Sequence, residues 1–500
     1  GGFRWGERPH KRGRGQARWR QTAACASGLI DETEPNEPVQ TQPASSAKPV
    51  TVTVRSLAGA VLLGPEDLPG ALRAREIKDR LRAARPGSGV RLLCGARELA
   101  DGDALRAAGI DGDVLDLTAV LSKTFSVVSW GEATYGGRAP PEVGSGVLKL
   151  YSSTGAFAVI KEGGAVSAWG HPAYGGDVGA AAPRLLSGVE SITAGKNAFV
   201  ALKKDGSIVA WGNARFGGRA PRSMPNGSKN VFVSVHVSGE AFAALTKSGS
   251  VVAWGMDVFG GDPSAVAHEL CSGVVELFST KSAFAALKEG GRVVTWGHPS
   301  HGGDSSLVAA QLASGVKTIF SNTTAFAALT EQGAVVTWGN RETGGHAGAE
   351  APKLEGGVVT VFSSGAAFCA VKEDGSTVTW GRPGEPAVVA EHLAGGGRCA
   401  KANGNVVALV LDGGRLELRG DPQSGGDCGR LSPQLREGVT AVETTAGAIA
   451  AMKEDGSVVA WGRPQLGGDC GSAAEALSRG AVALHSTQSA FAVLRHVAKG

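Results

Sequence analysis

Hydrophobic residues recur in one short pattern along most of the chain. Three clear copies read AFAALTKSGSVVAWG, AFAALKEGGRVVTWG and AIAAMKEDGSVVAWG, at residues 241–255, 283–297 and 448–462. In each copy two apolar runs flank a polar turn that contains glycine, and Asp-Gly between such runs is a strong β-hairpin signal. Gly-Val and a further apolar run precede each hairpin, as in GVVELF at 273–278. Each copy therefore predicts three short strands.

Tryptophan followed by glycine ends most copies. These anchors are Trp130, Trp169, Trp211, Trp254, Trp296, Trp338, Trp380 and Trp461. Arg419–Gly420 occupies one further slot, and the successive spacings are 39, 42, 43, 42, 42, 42, 39 and 42 residues. A period of this size predicts a repeat architecture, in which a single unit cannot bury both faces and must pack against its neighbours.

The repeat region, residues 124–500, starts and ends in the middle of a unit. It opens with a third strand, FSVVSWG (125–131), and closes with the first two strands of a unit, AVALHS (481–486) and AFAVLR (490–495). A ring that pairs its first strand with its last needs this offset, whereas an open solenoid does not. We therefore predict a mainly β fold, a β-propeller of about nine three-stranded repeats closed by its terminal strands. A partly open spiral is the alternative, because the unit at 399–420 is degenerate.

The motif AxxLKxDGSVVAWG, with Gly-Val upstream, resembles the repeats of the regulator of chromosome condensation family. In unit length the repeats are most similar to those of beta-lactamase inhibitor protein II, a relative with three-stranded blades. The resemblance covers residues 124–500. It implies a propeller, and by family analogy it leaves open the exchange of nucleotide on a small GTPase or an association with chromatin.

Residues 50–122 have a different pattern. VTVTVRSL alternates like a strand, and Leu72, Ile77, Leu81 and Ala84 fall roughly on one helical face. The predicted order is strand, strand, helix, strand, strand. Together with the stretch RLLCGARELADGDALRAAGIDGDVLDL (91–117), this order resembles ubiquitin-like domains of the β-grasp fold. The resemblance implies an integral docking module, and it places Leu93 at the centre of the apolar patch that ubiquitin uses for its partners.

Charge is uneven along the chain, although the net charge is only +4. Residues 1–49 begin with a basic stretch and continue with a segment rich in Pro, Glu and Ser, which predicts a disordered tail. The basic stretch could be a nuclear address, a nucleic-acid contact or the remnant of a transit peptide, and a solvated tail is the interpretation that we adopt. The repeat region holds 31 basic and 31 acidic residues, which argues against nucleic-acid binding there. The chain begins with Gly, so its natural start is expected to lie upstream.

No catalytic signature occurs in the chain: there is no nucleophile elbow, phosphate-binding loop, HExxH or paired-cysteine zinc spacing. We therefore predict that the protein is not an enzyme and needs no cofactor. His298 and His301 lie close together and could bind a metal ion, but a chance pair on a loop is the interpretation that we adopt. The seven cysteines form no CxxC pair, which favours reduced thiols in a cytoplasmic or nuclear protein. No apolar run is long enough to predict a membrane span.

Two loop positions after the tryptophan are candidates for partner binding. The position five residues on is aromatic in the early units and reads Tyr135, Tyr174, Phe216, Phe259 and then His301. Exposed aromatic residues on loops serve as binding anchors, although packing beneath the loop is the competing interpretation. The position after Gly-Gly holds Asp177, Asp262, Asp304, Asp427 and Asp469. These carboxylates would attract a basic partner, or each would cap its own turn.

Together these features predict a non-catalytic protein-interaction scaffold or adaptor. The two resemblances imply a component of the ubiquitin–proteasome system as one class of partner and a small GTPase as another. The predicted partner-binding residues are Tyr135, Tyr174, Phe216, Phe259, His301, Asp177, Asp262, Asp304 and Leu93.

Overall fold

The computed structural model describes residues 49–496, except for 59, 70–71, 86–87, 96, 100–102, 105–113, 222–230, 364, 383–398 and 403–405. The described residues are mainly β, with 32 strands and a single α-helix. The tail predicted for residues 1–49 falls, apart from Pro49, outside this described set.

The first module is a mixed sheet with one helix. Its elements are β1 (Pro49–Ser56), β2 (Val61–Pro69), α1 (Ala74–Ala84), β3 (Ser88–Cys94), β4 (Arg97–Glu98) and β5 (Val114–Lys123). The strands lie in the order β2-β1-β5-β3-β4, and β1 pairs with β5 in parallel while the other pairs are antiparallel. Alternate residues of β1 point into the core, where Val52 and Val54 are fully buried.

The helix buries two of the four residues predicted for its apolar face. Ile77 and Leu81 are buried as expected, but α1 begins only at Ala74, so Leu72 precedes it, and Ala84 is exposed. Lys78 completes the buried face, and its ammonium group donates to the carbonyl of Leu99 at 2.9 Å. The prediction failed here because a long polar side chain can be buried when its charged end finds a backbone acceptor.

The repeat region consists of β-β-β units. The first strands are β7 (Val147–Ser152), β10 (Val189–Ala194), β13 (Phe232–Ser238), β16 (Val274–Ser279), β19 (Val316–Ser321), β22 (Val358–Ser363), β25 (Cys399–Ala402), β28 (Val439–Thr444) and β31 (Ala481–Ser486). The second strands are β8 (Ala156–Lys161), β11 (Ala198–Lys203), β14 (Ala241–Thr246), β17 (Ala283–Lys288), β20 (Ala325–Thr330), β23 (Ala367–Lys372), β26 (Val406–Val410), β29 (Ala448–Lys453) and β32 (Ala490–His496). The third strands are β6 (Phe125–Gly131), β9 (Val166–Gly170), β12 (Ile208–Gly212), β15 (Val251–Gly255), β18 (Val293–Gly297), β21 (Val335–Gly339), β24 (Thr377–Gly381), β27 (Leu416–Gly420) and β30 (Val458–Gly462).

Strands from the two ends of the repeat region pair with each other. Within every unit the three strands are antiparallel in sequence order, and β6 supplies the third strand to β31 and β32. The ladder between β32 and β6 is continuous, from Ala490 opposite Gly131 to His496 opposite Phe125. The predicted pairing of 125–131 with 490–495 is therefore present, and it joins residues more than three hundred positions apart in sequence.

Neighbouring units are packed through aromatic side chains. The phenylalanine of a second strand is fully buried and stacks on the tryptophan of its own unit, as Phe284 does on Trp296 with ring centroids 5.2 Å apart. The indole N–H then donates to a glycine carbonyl of the preceding unit, from Trp296 to Gly260 at 3.0 Å. The same bond recurs for Trp130, Trp169, Trp211, Trp254, Trp338, Trp380 and Trp461. The side chain of Arg419, in the remaining slot, lies outside the described set.

The two ends of the sheets carry different turns. We call one end the Trp-Gly rim: it holds the turns between first and second strands, such as 153–155, and the loops after Trp-Gly, such as 132–137. The opposite end, with turns between second and third strands such as 204–206, is the Asp-Gly rim. Backbone bonds link successive units along the Trp-Gly rim, for example from the Gln488 amide to the Thr154 carbonyl at 2.6 Å. Because Gln488 belongs to the last unit, this bond also crosses the junction between the two ends.

The first module lies against the Asp-Gly rim. The Arg82 guanidinium donates to one carboxylate oxygen of Glu162 from Nε at 3.0 Å and from Nη2 at 2.6 Å. Burial opposes the charge of Arg82, but Glu162 and Asp79 outweigh it and raise the pKa of that guanidinium. In a second ion pair the base belongs to the repeat region and the acid to the first module: Lys204 lies 3.6 Å from Glu98. These contacts fix the side of the repeat region on which the module sits.

We predict that Trp130→Ala destabilises the repeat region as much as Trp254→Ala does. Each indole is nearly fully buried and makes the same bond, so each truncation should cost about 3–5 kcal/mol. Urea denaturation midpoints compare the two variants directly. If the ends were apart, Trp130 would lie on a frayed strand, and its replacement would leave the midpoint close to that of the parent protein.

Candidate functional site

The predicted aromatic residues all take the same place on the Trp-Gly rim. Each ends a short 3-10 turn that follows the Trp-Gly pair, and a glycine in the left-handed conformation comes next, as Gly136 does with φ +96° after Tyr135. Tyr135, Tyr174, Phe216, Phe259 and His301 are all half-buried. Half-burial agrees with packing beneath the loop, and the role of these rings as binding anchors stays a prediction.

Hydrogen bonds from side-chain hydroxyl groups to loop carbonyls hold several of these positions in place, and we call such a bond a latch. The Ser153 hydroxyl donates to the carbonyl of Tyr174 at 2.8 Å, and the Thr487 hydroxyl donates to that of Tyr135 at 3.0 Å. Ser238 bonds the Phe259 carbonyl in the same way. The sequence signal for the latch is a hydroxyl residue three positions before each of these second strands, and the prediction of the rim residues did not include it. The latch holds the loop still, which lowers the entropic cost of presenting its side chain to a partner.

Only two of the predicted aromatic residues touch. The rings of Tyr135 and Tyr174, from successive units, lie 6.1 Å apart between centroids. His171, which the prediction missed, contacts both, at 5.7 Å from Tyr135 and 5.2 Å from Tyr174. We call these three residues the aromatic cluster. Gly155 lies beneath it, because a Cβ there would approach Tyr174 Cδ2 to 2.7 Å and Tyr135 Cδ1 to 3.2 Å.

The remaining aromatic residues stand apart from the cluster. Lys196 lies 5.7 Å from the Phe259 ring centroid, and Arg215 lies 5.9 Å from that of Phe216. Such distances are within the range of cation–π attraction. This part of the rim therefore combines aromatic and cationic groups.

His301 belongs to a separate histidine pair. Its ring stacks on that of His298 at 4.4 Å. Partial burial, with the nearby charges of His298 and Lys281, lowers the pKa of His301 and favours its neutral form. In the described ranges no group of three or more His, Cys, Asp or Glu side chains is placed to hold a metal ion.

The loop aspartates cap their own turns, as one of the two interpretations predicted. Asp177 accepts from the Gly179 amide at 2.8 Å, and Asp262 and Asp304 accept from the amides of Ser264 and Ser306 at 2.9 Å. Hydrogen bonds from the backbone and hydroxyl of Ser306 lower the pKa of Asp304. The attraction of these exposed carboxylates for a cationic partner remains a prediction.

Leu93 lies far from the aromatic cluster. It sits half-buried on β3, opposite Glu98 of β4 and Thr118 of β5. Glu98 pairs with Lys204 on the Asp-Gly rim, which is the opposite end of the sheets from Tyr135. The predicted partner-binding residues therefore form no single site.

Buried thiols in the described residues are poorly suited to act as nucleophiles. Burial, with the nearby charge of Asp469, raises the pKa of Cys470 to about 11. Burial also raises the pKa of Cys369. In the described ranges, no helix has the length and apolarity needed to cross a bilayer.

Comparison with known proteins does not assign this chain to a family. No family model matches the chain, and no curated protein matches it either. Among solved structures, Prp20p from Saccharomyces cerevisiae, described with its binding properties to Gsp1p and histones, is 16% identical with a TM-score of 0.33. That match covers 75% of this chain and 92% of Prp20p.

Two further solved structures were found. The ectodomain of the receptor kinase CR4 from Physcomitrella patens is 13% identical with a TM-score of 0.32, over 65% of this chain and 77% of that one. Human WBSCR16 is 14% identical with a TM-score of 0.31, over 74% of this chain and 98% of that one. With identities and TM-scores this low, the propeller architecture rests on the strand pairing of this chain itself.

We predict that Gly155→Ala destabilises the protein by about 1–3 kcal/mol, because the added methyl group must displace the two tyrosine rings. Gly365→Ala is the matched control, since its nearest neighbour, Thr323 Oγ1, would lie 3.7 Å away. Urea denaturation and near-ultraviolet circular dichroism measure the effect. Equal behaviour of the two variants would contradict the packing described for Gly155.

Proposed function

We propose that this chain is a non-catalytic interaction scaffold whose Trp-Gly rim binds another protein at the aromatic cluster. The observation that supports this is the contact of Tyr135, His171 and Tyr174 on loops that are already latched. Rigid, partly exposed aromatic rings give a partner a large contact area at a low entropic cost. Farther along the rim, Arg215 lies over the Phe216 ring, and Lys196, which also pairs with Glu240 at 3.7 Å, lies over the Phe259 ring.

We also propose that the nine three-stranded units form one closed ring. The ladder between β32 and β6 supports closure, and so do the amide bonds that cross the same junction. The step from β24 to β25 runs through residues 383–398, outside the described set. A closed ring leaves few strand edges exposed, and its rim becomes a continuous surface.

The module at 50–122 is proposed to be an integral ubiquitin-like docking domain. Its mixed sheet, with parallel central strands and one packed helix, supports this, together with the residues that resemble ubiquitin. Leu93 would then contribute to the docking surface, with a component of the ubiquitin pathway as the partner. The chain would display two binding surfaces, one on each rim.

Regulation of a small GTPase is the second candidate, and it stays a prediction from the repeat resemblance alone. Prp20p, whose structure was described with its binding to Gsp1p, is too distant to strengthen it. Nucleotide release from a panel of small GTPases, measured with and without the full chain, separates the two functions. Stimulated release supports exchange activity, and uniformly unchanged release removes this candidate.

We predict that Tyr135→Ala combined with Tyr174→Ala lowers the capture of partner proteins at least tenfold, since truncating an anchor residue typically costs about 2 kcal/mol or more. Gln423→Ala combined with Gln465→Ala is the matched control, because both glutamines are exposed on the same rim in later units. Quantitative mass spectrometry of proteins bound to the tagged full chain gives the measurement. Unchanged capture by a folded tyrosine variant would exclude the aromatic cluster as the binding site.

A further inference from the structure

A groove of about 660 Å³ runs along the outer edge of β18. Its floor is the strand itself, Arg292–Gly297, and its walls are the two segments that follow β15 and β18. The groove lies outside the aromatic cluster and shares no residue with it. Two of the predicted partner-binding residues, Asp262 and Asp304, stand in its opposite walls.

The pairing register of β18 directs backbone amide and carbonyl groups that do not bond β17 into this groove. Hydrogen bonds from the Lys288 amide to the Arg292 carbonyl and from the His298 amide to the Ser282 carbonyl set the alternation of the ladder with β17. Val293, Thr295 and Gly297 therefore present their backbone groups away from β17. The Val293 amide bonds the Leu312 carbonyl at 2.9 Å. The Val293 carbonyl and both backbone groups of Thr295 have no hydrogen-bond partner among the described residues.

In the unit β10–β12 a side chain occupies the backbone acceptor at the equivalent strand edge. In β12 the Ile208 carbonyl, which corresponds to that of Val293, accepts a hydrogen bond from Arg184 Nη2 at 2.7 Å. The residue that corresponds to Arg184 beside β18 is Glu269, since the carbonyl of each accepts a hydrogen bond from the lysine that ends the second strand of its unit. A carboxylate cannot donate to the Val293 carbonyl, and the side chain of Glu269 pairs with Arg292 instead. The edge of β18 is thus left open where that of β12 is blocked. An open strand edge is a template for pairing with another extended chain.

The walls of the groove select the charge of such a chain. They carry the carboxylates of Asp257, Asp262, Glu269 and Asp304, and one guanidinium, that of Arg292. Arg292 is already engaged by Glu269. Asp262 and Asp304 are held in place by the turn-capping bonds described above and remain exposed. A cationic side chain lying over β18 would therefore meet fixed, unneutralised carboxylates.

We propose that the outer edge of β18 binds an extended peptide segment with lysine or arginine on both of its faces, which adds as a fourth strand to the unit β16–β18. The main chain of the segment would bond the backbone groups of Val293 and Thr295. Its basic side chains would lie beside Asp257, Asp262 and Asp304. Strand addition supplies affinity through the main chain, and the walls supply the preference for positive charge.

The test uses the full chain and two labelled peptides of eight residues, one repeating Lys-Lys-Val-Val, which places lysine on both faces of an extended strand, and the other repeating Glu-Glu-Val-Val. Fluorescence anisotropy at low ionic strength is expected to show saturable binding of the lysine peptide alone. Asp262→Asn with Asp304→Asn should weaken it about tenfold, because asparagine keeps the cap but loses the charge. Asp427→Asn with Asp469→Asn, in the same loop slots of other units, should leave the affinity unchanged.

A second variant addresses the strand edge itself. Thr295→Pro removes the outward amide, and proline is tolerated where the amide of an edge strand faces away from the sheet. We expect at least a tenfold loss of affinity with this variant, and no loss with Thr337→Pro, its counterpart on β21. Equal binding of the glutamate peptide, or equal losses in the two pairs of aspartate variants, would overturn the proposal. Unchanged affinity in a folded Thr295→Pro protein would overturn it as well.

Discussion

Every unit of the repeat region that ends in Trp-Gly is joined to its neighbour by an indole hydrogen bond that only a glycine permits. The tryptophan of one unit donates to a glycine carbonyl in the loop of the preceding unit, and a Cβ on that glycine would enter the buried phenylalanine ring. At Gly136 the added atom would lie 2.6 Å from Phe157 Cδ2, and at Gly302 it would lie 2.5 Å from Phe326 Cδ2. Both glycines also have φ near +96°, which side chains disfavour. The Trp-Gly and Gly-Gly signatures are therefore the two halves of one contact between units.

The contact between units determines which surfaces of the repeat region remain accessible to a partner. Since phenylalanine, tryptophan and alanine fill the space between sheets, the second strands are consumed in packing and have almost no exposed side chains. What remains for a partner is the pair of rims and the outer edges of the third strands. The aromatic cluster belongs to the Trp-Gly rim, the first module occupies part of the Asp-Gly rim, and the groove beside β18 belongs to the outer edge. Under the proposed scaffold function, these separate surfaces would bind different partners.

The sequence predicted the features that depend on local or periodic signals. Asp-Gly turns, the buried phenylalanine and the cap formed by Asp304 each involve residues a few positions apart, so a short pattern contains the whole interaction. The pairing of the two ends could also be predicted, because the unit is divided between them. The aromatic cluster could not, because His171 and Tyr135 meet only across a boundary between units. The contact between Arg82 and Glu162 could not be predicted either, because the two charges lie in different modules and no sequence pattern connects them. The backbone groups at the edge of β18 are unpaired because the segment beside it lacks an arginine like Arg184, and no sequence pattern marks that difference.

The central claim is that the first and last strands of the repeat region form one continuous sheet. Amide hydrogen exchange of the full chain, followed by mass spectrometry of peptides that span 125–131 and 490–496, tests it most directly. Closure predicts that the inward amides of both strands exchange as slowly as those of an internal strand such as β17. Exchange of both peptides at the rate of an unpaired chain, while β17 stays protected, would show that the ends lie apart.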